Sequence, residues 1–239
     1  MKSHILVTIA VGSSALVGCA STPGARPSDM SAAQHEQAAA AQEAQATGHA
    51  EQYNPNAQAT PTTSSAQCAY TNAGCWSSAA NPTQQHLGEA EKHRKMAADH
   101  RAASQALRDA EAWACSGLPT DDRDMSPFDH REDITSVDPA YVHISGKQPR
   151  DQLVGAVVVF RAVPNMTSQW LQRVVDCHIA RNNSLGNNVP EMPNCPLVPK
   201  GITATVSSLG NGLTVRIESQ DSATAQEVLR RAQSLKNPG

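Results

Sequence analysis

An α+β fold is predicted for the C-terminal half of this 239-residue chain, and three local patterns predict it. Val154 to Val163 is an apolar run of the kind that forms a buried central strand. Gly210-Asn211-Gly212 sits between two alternating runs, Ile202/Ala204/Val206 and Leu213/Val215/Ile217. An Asn-Gly step in that setting is a strong hairpin signal, because both residues tolerate positive φ. Finally, apolar residues recur at three- and four-residue spacing after the valine-rich run and again after the hairpin, which is the period of an amphipathic helix. Strand, helix, strand, strand, helix is the order expected, with an earlier strand at Tyr141 to Ser145. This is the ferredoxin-like rhythm of a small α/β sandwich, an antiparallel sheet with helices on one face.

The N-terminal elements carry a different message. Lys2 supplies positive charge, Ile5 to Val17 form a short apolar run, and a small-residue site follows at Gly18-Cys19. A permanent bilayer span needs about 20 apolar residues, so this segment has the proportions of an export signal. Leu16-Val17-Gly18-Cys19 resembles the lipobox of bacterial lipoproteins. That resemblance implies cleavage before Cys19, a signal peptide over 1–18, and lipidation of Cys19 with acyl chains such as palmitate. The chain would then meet a membrane through that anchor. By analogy with such lipoproteins, Ala20, where an aspartate would favour retention in the inner membrane, implies the outer membrane of a Gram-negative cell, facing the periplasm.

Residues 19–83 are rich in Ala, Gln, Thr, Ser, Asn and Pro and poor in Leu, Ile and Val. Such a composition buries too little apolar surface to offset the entropy of ordering the chain, so a disordered tether is expected. A coil of that length spans on the order of 45 Å. Within it, Met30 to Ala46 is a candidate for a frayed helix. Cys68 and Cys75, seven apart around an Asn/Gly turn, are disulfide candidates rather than a metal knuckle, which takes closer spacing.

Residues 84–116 are expected to form one long helix, ended by Gly117 and Pro119. Met96, Ala103, Leu107, Ala110 and Ala114 define its apolar stripe, and Trp113 near its end suggests contact with the domain. His86, His93 and His100 run beside the stripe at heptad spacing. Seven helical residues rise about 10.5 Å, too far for one ion to join side chains of a single helix, so solvated boundary histidines are expected. The α/β domain occupies 117–239. It opens with a polar irregular stretch to residue 140 in which Phe128 plugs the core and Asp129 and His130 stand at the surface. Thr167 or Ser168 caps a helix reaching about Asn182.

Six cysteines in an exported chain are disulfide candidates first. Cys177 and His178 lie on the first domain helix, His178 at the centre of its apolar face and Cys177 beside Trp170. Three readings compete there. Cys177 pairs with Cys195, pinning the loop from Asn183 to Lys200 and leaving His178 as a hydrogen-bonded core residue. Alternatively Cys177, His178 and Cys195, with Cys115 or His130, hold Zn or Cu. The third is Cys–His nucleophilic catalysis, which adjacent helical residues serve poorly because they point about 100° apart.

The formal net charge is −3, with no basic block that would suit nucleic acid. No G-x-S-x-G, Walker, H-E-x-x-H or dinucleotide-binding glycine pattern occurs. The sequence therefore points to a non-enzymatic envelope lipoprotein with a binding or structural role and an envelope protein as partner. A periplasmic Zn- or Cu-binding lipoprotein is the alternative, and an envelope hydrolase the second alternative.

Overall fold

The structure is a computed structural model that describes residues 22–58, 81–146 and 149–236. Cys19, Cys68, Cys75 and the export signal lie outside the described residues. Helix α1 spans Ala32–Gln52 and α2 spans Gln84–Ala114. A short α3, Thr120–Asp124, precedes strands β1 (Ile134–Ile144) and β2 (Arg150–Phe160). Then come α4 (Ser168–Ser184), β3 (Ile202–Leu209), β4 (Gly212–Ser219) and α5 (Ser222–Lys236).

The four strands form one antiparallel sheet in the order β1-β2-β4-β3. Because β4 lies between β2 and β3, the unit β2-α4-β3 is a split β-α-β, as the ferredoxin-like rhythm requires. The strand on the other side of β2 is β1, which precedes the unit in the chain. Alternation is clean on β4: Leu213, Val215 and Ile217 are buried, while Thr214, Arg216 and Glu218 stay half exposed on the opposite face. The buried side meets α4 through Leu171 and Val175 and α5 through Val228, Ala232 and Leu235. Phe128 plugs this core as expected, its ring 5.8 Å from that of Phe160.

Two boundaries differ from the sequence reading, each for a local reason. Strand β1 starts seven residues before Tyr141 because its polar residues and Pro139 hide the alternation, and the register slips between Ala140 and Tyr141. Opposite that slip, Gly155 approaches the Ile217 carbonyl so closely that any Cβ would collide with it. The hairpin turn is Gly210-Asn211, not Asn211-Gly212. Only Gly210 has positive φ (59°), the glycine-first pattern of a II′ turn.

The larger correction concerns the tether. Residues 32–52, inside the segment expected to be disordered and overlapping the frayed-helix candidate Met30 to Ala46, form a full helix α1 that lies antiparallel along α2. Ser31 starts the helix with a capping box: its hydroxyl accepts from Gln34 N at 3.1 Å, and Gln34 Oε1 accepts from Ser31 N at 2.9 Å. Alanines count for little in a composition argument, yet Ala32, Ala39 and Ala46 meet Ser104, Ala97 and Ala90 in a buried seam. Side chains that small let two helix backbones approach closely. The stripe on α2 is accordingly displaced from the expected one, with Ala110 and Trp113 exposed. The hairpin instead docks on the domain through Cys115 and Leu118, which pack with Val174, Cys177 and Trp170. Among the described residues, no helix is long and apolar enough to cross a membrane.

Candidate functional site

The cysteine and histidine candidates are sorted by α4. Residue 177 projects toward the end of α2 rather than toward the loop that carries Cys195, and Cys177 is bonded to Cys115, Cα to Cα 4.6 Å. The pairing of Cys177 with Cys195 is therefore replaced by Cys115–Cys177. Sequence spacing favoured the shorter loop, whereas the fold docks the end of α2 beside Trp170.

Cys195 is a buried free thiol, its sulfur 3.5 Å from the Ser126 hydroxyl. Burial pushes its pKa up, with Ser126 opposing, which disfavours the thiolate that nucleophilic chemistry uses. His178 is buried, with Nε2 3.3 Å from the Asp122 carbonyl. Desolvation lowers its pKa and holds the ring neutral. It is the hydrogen-bonded core histidine of the first reading.

The proposed metal set is thus dispersed. Cys115 and Cys177 are spent in a disulfide, Cys195 and His178 are satisfied in the core, and His130 is exposed. The nucleophilic reading of Cys177 falls with the same bond, since it has no thiol. His130 does meet two carboxylates, those of Glu132 and Asp133, with candidate ligand atoms within 4.8 Å of one another. Arg161 is ion-paired with Asp133, however, and already balances the charge of that carboxylate.

The unexpected assembly lies between α1 and α2. Five of the nine histidines are in this hairpin. His35, Gln42 and His49 recur every seven residues on α1, as do His100, His93 and His86 on the antiparallel α2. Opposite members face each other in three layers that interleave with the alanine seam. His35 Nδ1 lies 3.1 Å from His100 Nδ1, the Gln42 carbonyl oxygen 2.6 Å from His93 Nδ1, and His49 Nδ1 3.2 Å from His86 Nδ1. His49 also stacks on His93, ring centroids 5.4 Å apart and nearly parallel.

The layers differ in burial. His35 and His100 are enclosed, and His35 Nε2 has no hydrogen-bond partner. Desolvation first, and the His35 ring second, lower the His100 pKa. His49, His86 and His93 are half exposed near the free end of the hairpin. The expectation of solvated boundary histidines is overturned for His100 and incomplete for the other two. Along one helix His86, His93 and His100 lie too far apart to share an ion, but each meets a partner on α1. What would have found the ladder is the matched seven-residue spacing of His35, Gln42 and His49.

A cleft of about 400 Å³ opens elsewhere on the domain between Pro127, Phe160, Val163, Met166 and Trp170, with His130 at its rim. That volume lies in the range of small-ligand pockets. Comparison with known proteins finds no matching family model, no matching curated protein and no matching solved structure.

Proposed function

We propose that this chain is a lipid-anchored lipoprotein of the bacterial cell envelope, held to the membrane through Cys19, with a non-enzymatic binding or structural role. The observation that carries the reading is the disulfide Cys115–Cys177, which ties the helical hairpin to the α+β domain. Disulfides persist in oxidising compartments such as the periplasm, where the signal over 1–18 would deliver the chain. Among the described residues, the cysteines and His178 are committed to structure: Cys115 and Cys177 to the bond, and His178 and Cys195 to the core. The lipobox-like Leu16-Val17-Gly18-Cys19 supports the anchor, and Ala20 supports the outer membrane, periplasmic side. An envelope protein is the proposed partner.

The test is expression of the full chain in a bacterial host with a clickable fatty acid. The expected product is labelled, starts at Cys19 by mass spectrometry and fractionates with the outer membrane, while Cys19→Ser is unlabelled and retains its signal. A mature chain cut elsewhere and free of lipid would sink the anchored reading.

A further inference from the structure

We propose that the free end of the α1–α2 hairpin is a binding site for a divalent transition-metal ion, with His49 and His86 as a preformed ligand pair and His93 as the third ligand. The distance between the first two nitrogens carries the argument. Two imidazole nitrogens each about 2.0–2.1 Å from one tetrahedral ion stand roughly 3.3 Å apart, and His49 Nδ1 and His86 Nδ1 are 3.2 Å apart. Both would present their Nδ1 lone pairs to the ion and carry their protons on Nε2.

His93 is prepared differently. Its Nδ1 donates to the Gln42 side-chain oxygen, which leaves the lone pair on Nε2. A ligating imidazole commonly has its other nitrogen held by just such an acceptor, which fixes tautomer and orientation. Stacked on His49 at 5.4 Å, His93 lies beside the pair, and a joint shift of His93 and Gln42 that keeps their hydrogen bond would bring Nε2 to the ion. All three residues are half exposed, so water can reach the ion and fill the remaining position. Imidazole donors without thiolate select Zn(II), Cu(II) or Ni(II) over the hard cations, which prefer oxygen. The enclosed His35–His100 pair lacks that access, and no further ligand is available to it from water.

The protein, purified without a histidine tag and stripped with a chelator, is titrated with Zn(II) and with Cu(II) at pH 7.5. One ion per chain is expected at the hairpin. His49→Gln and His86→Gln should each weaken it by more than the 10–100-fold typical of losing an outer-shell partner. Glutamine is the apt replacement because Gln42 already occupies an equivalent place in the ladder. His93→Gln should weaken binding at least about tenfold, and His130→Gln should leave it unchanged. The Cu(II) electron paramagnetic resonance spectrum should show imidazole nitrogen couplings that diminish in the first two variants. Helix content is checked by circular dichroism, and if His49→Gln unfolds the hairpin, His86→Gln reads the same pair from the other helix. Undiminished affinity in a folded His49→Gln/His86→Gln double variant, or no retention of either ion by the parent, overturns the proposal. Loss of binding in His130→Gln alone would do the same, placing the ion at the exposed His130/Glu132/Asp133 cluster.

Discussion

Cys115 and Cys177 are 62 residues apart, so their bond restricts a long loop in the unfolded chain. A chain-entropy argument puts the resulting stabilisation at about 4 kcal/mol, and Cys115→Ser or Cys177→Ser should lose most of it in denaturant unfolding. Cys195→Ala, by contrast, removes one buried sulfur and a weak contact with Ser126, and should cost only about 1 kcal/mol. Non-reducing peptide mapping should recover Cys115 joined to Cys177. A Cys177–Cys195 peptide, or equal destabilisation by all three substitutions, would reverse the assignment. The sequence could show that α4 placed Cys177 beside Trp170 and His178 on its apolar face. It could not show which distant element would fill the space next to Trp170, because that depends on where the hairpin docks.

Among the elements, the hairpin was the least legible and the sheet the most. The α+β class follows from strong signals: a valine-rich strand, a glycine turn, and helices with large apolar residues at helical spacing. Helix α1 has no such residues on its seam. Its partner-facing positions are Ala32, His35, Ala39, Gln42, Ala46 and His49, each unremarkable until the matching heptads of α2 are laid against them. The seam tolerates little added volume, so Ala97→Leu should destabilise the hairpin by about 1–3 kcal/mol, measured by loss of helical signal in denaturant. The ladder should also make stability depend on pH. His100 has a lowered pKa because it is enclosed and faces His35, with Asp99 acting in the opposite sense. His178 is lowered by burial, with Arg181 adding to that, and the Asp122 and Met125 carbonyls and Asp129 opposing it. Between each lowered value and the ordinary 6.5, the unfolded chain binds a proton that the folded chain does not. Stability is therefore complete above pH 6.5 and falls as pH drops through that value. Unfolding at pH 7.5 and 5.5 should show the loss, and His100→Gln should shrink it; an unchanged difference in that variant would clear the ladder of the effect.

At the scale of the whole molecule, the hairpin and the sheet domain have separate interiors joined by a small contact. The sheet core runs from Phe128 through Val158 and Ile217 to Val228, while the hairpin core is alanine and imidazole. Between them lie the patch of Cys115, Leu118, Val174, Cys177 and Trp170, a hydrogen bond from Arg173 to the Ser116 carbonyl, and Ser31 against Gly186. Regions with few buried apolar contacts open at lower free energy than a packed core, so the two parts should not lose protection together. Without the disulfide the hairpin is held to the domain only by the rest of that patch. In native-state hydrogen exchange, the Cys115→Ser/Cys177→Ser protein should exchange faster than the parent over α1, α2 and residues 115–125. The amides of β2 and β4 should keep protection set by the sheet core. Equal acceleration in strands and hairpin would mean that the two parts unfold as one cooperative unit, with the disulfide stabilising that unit as a whole.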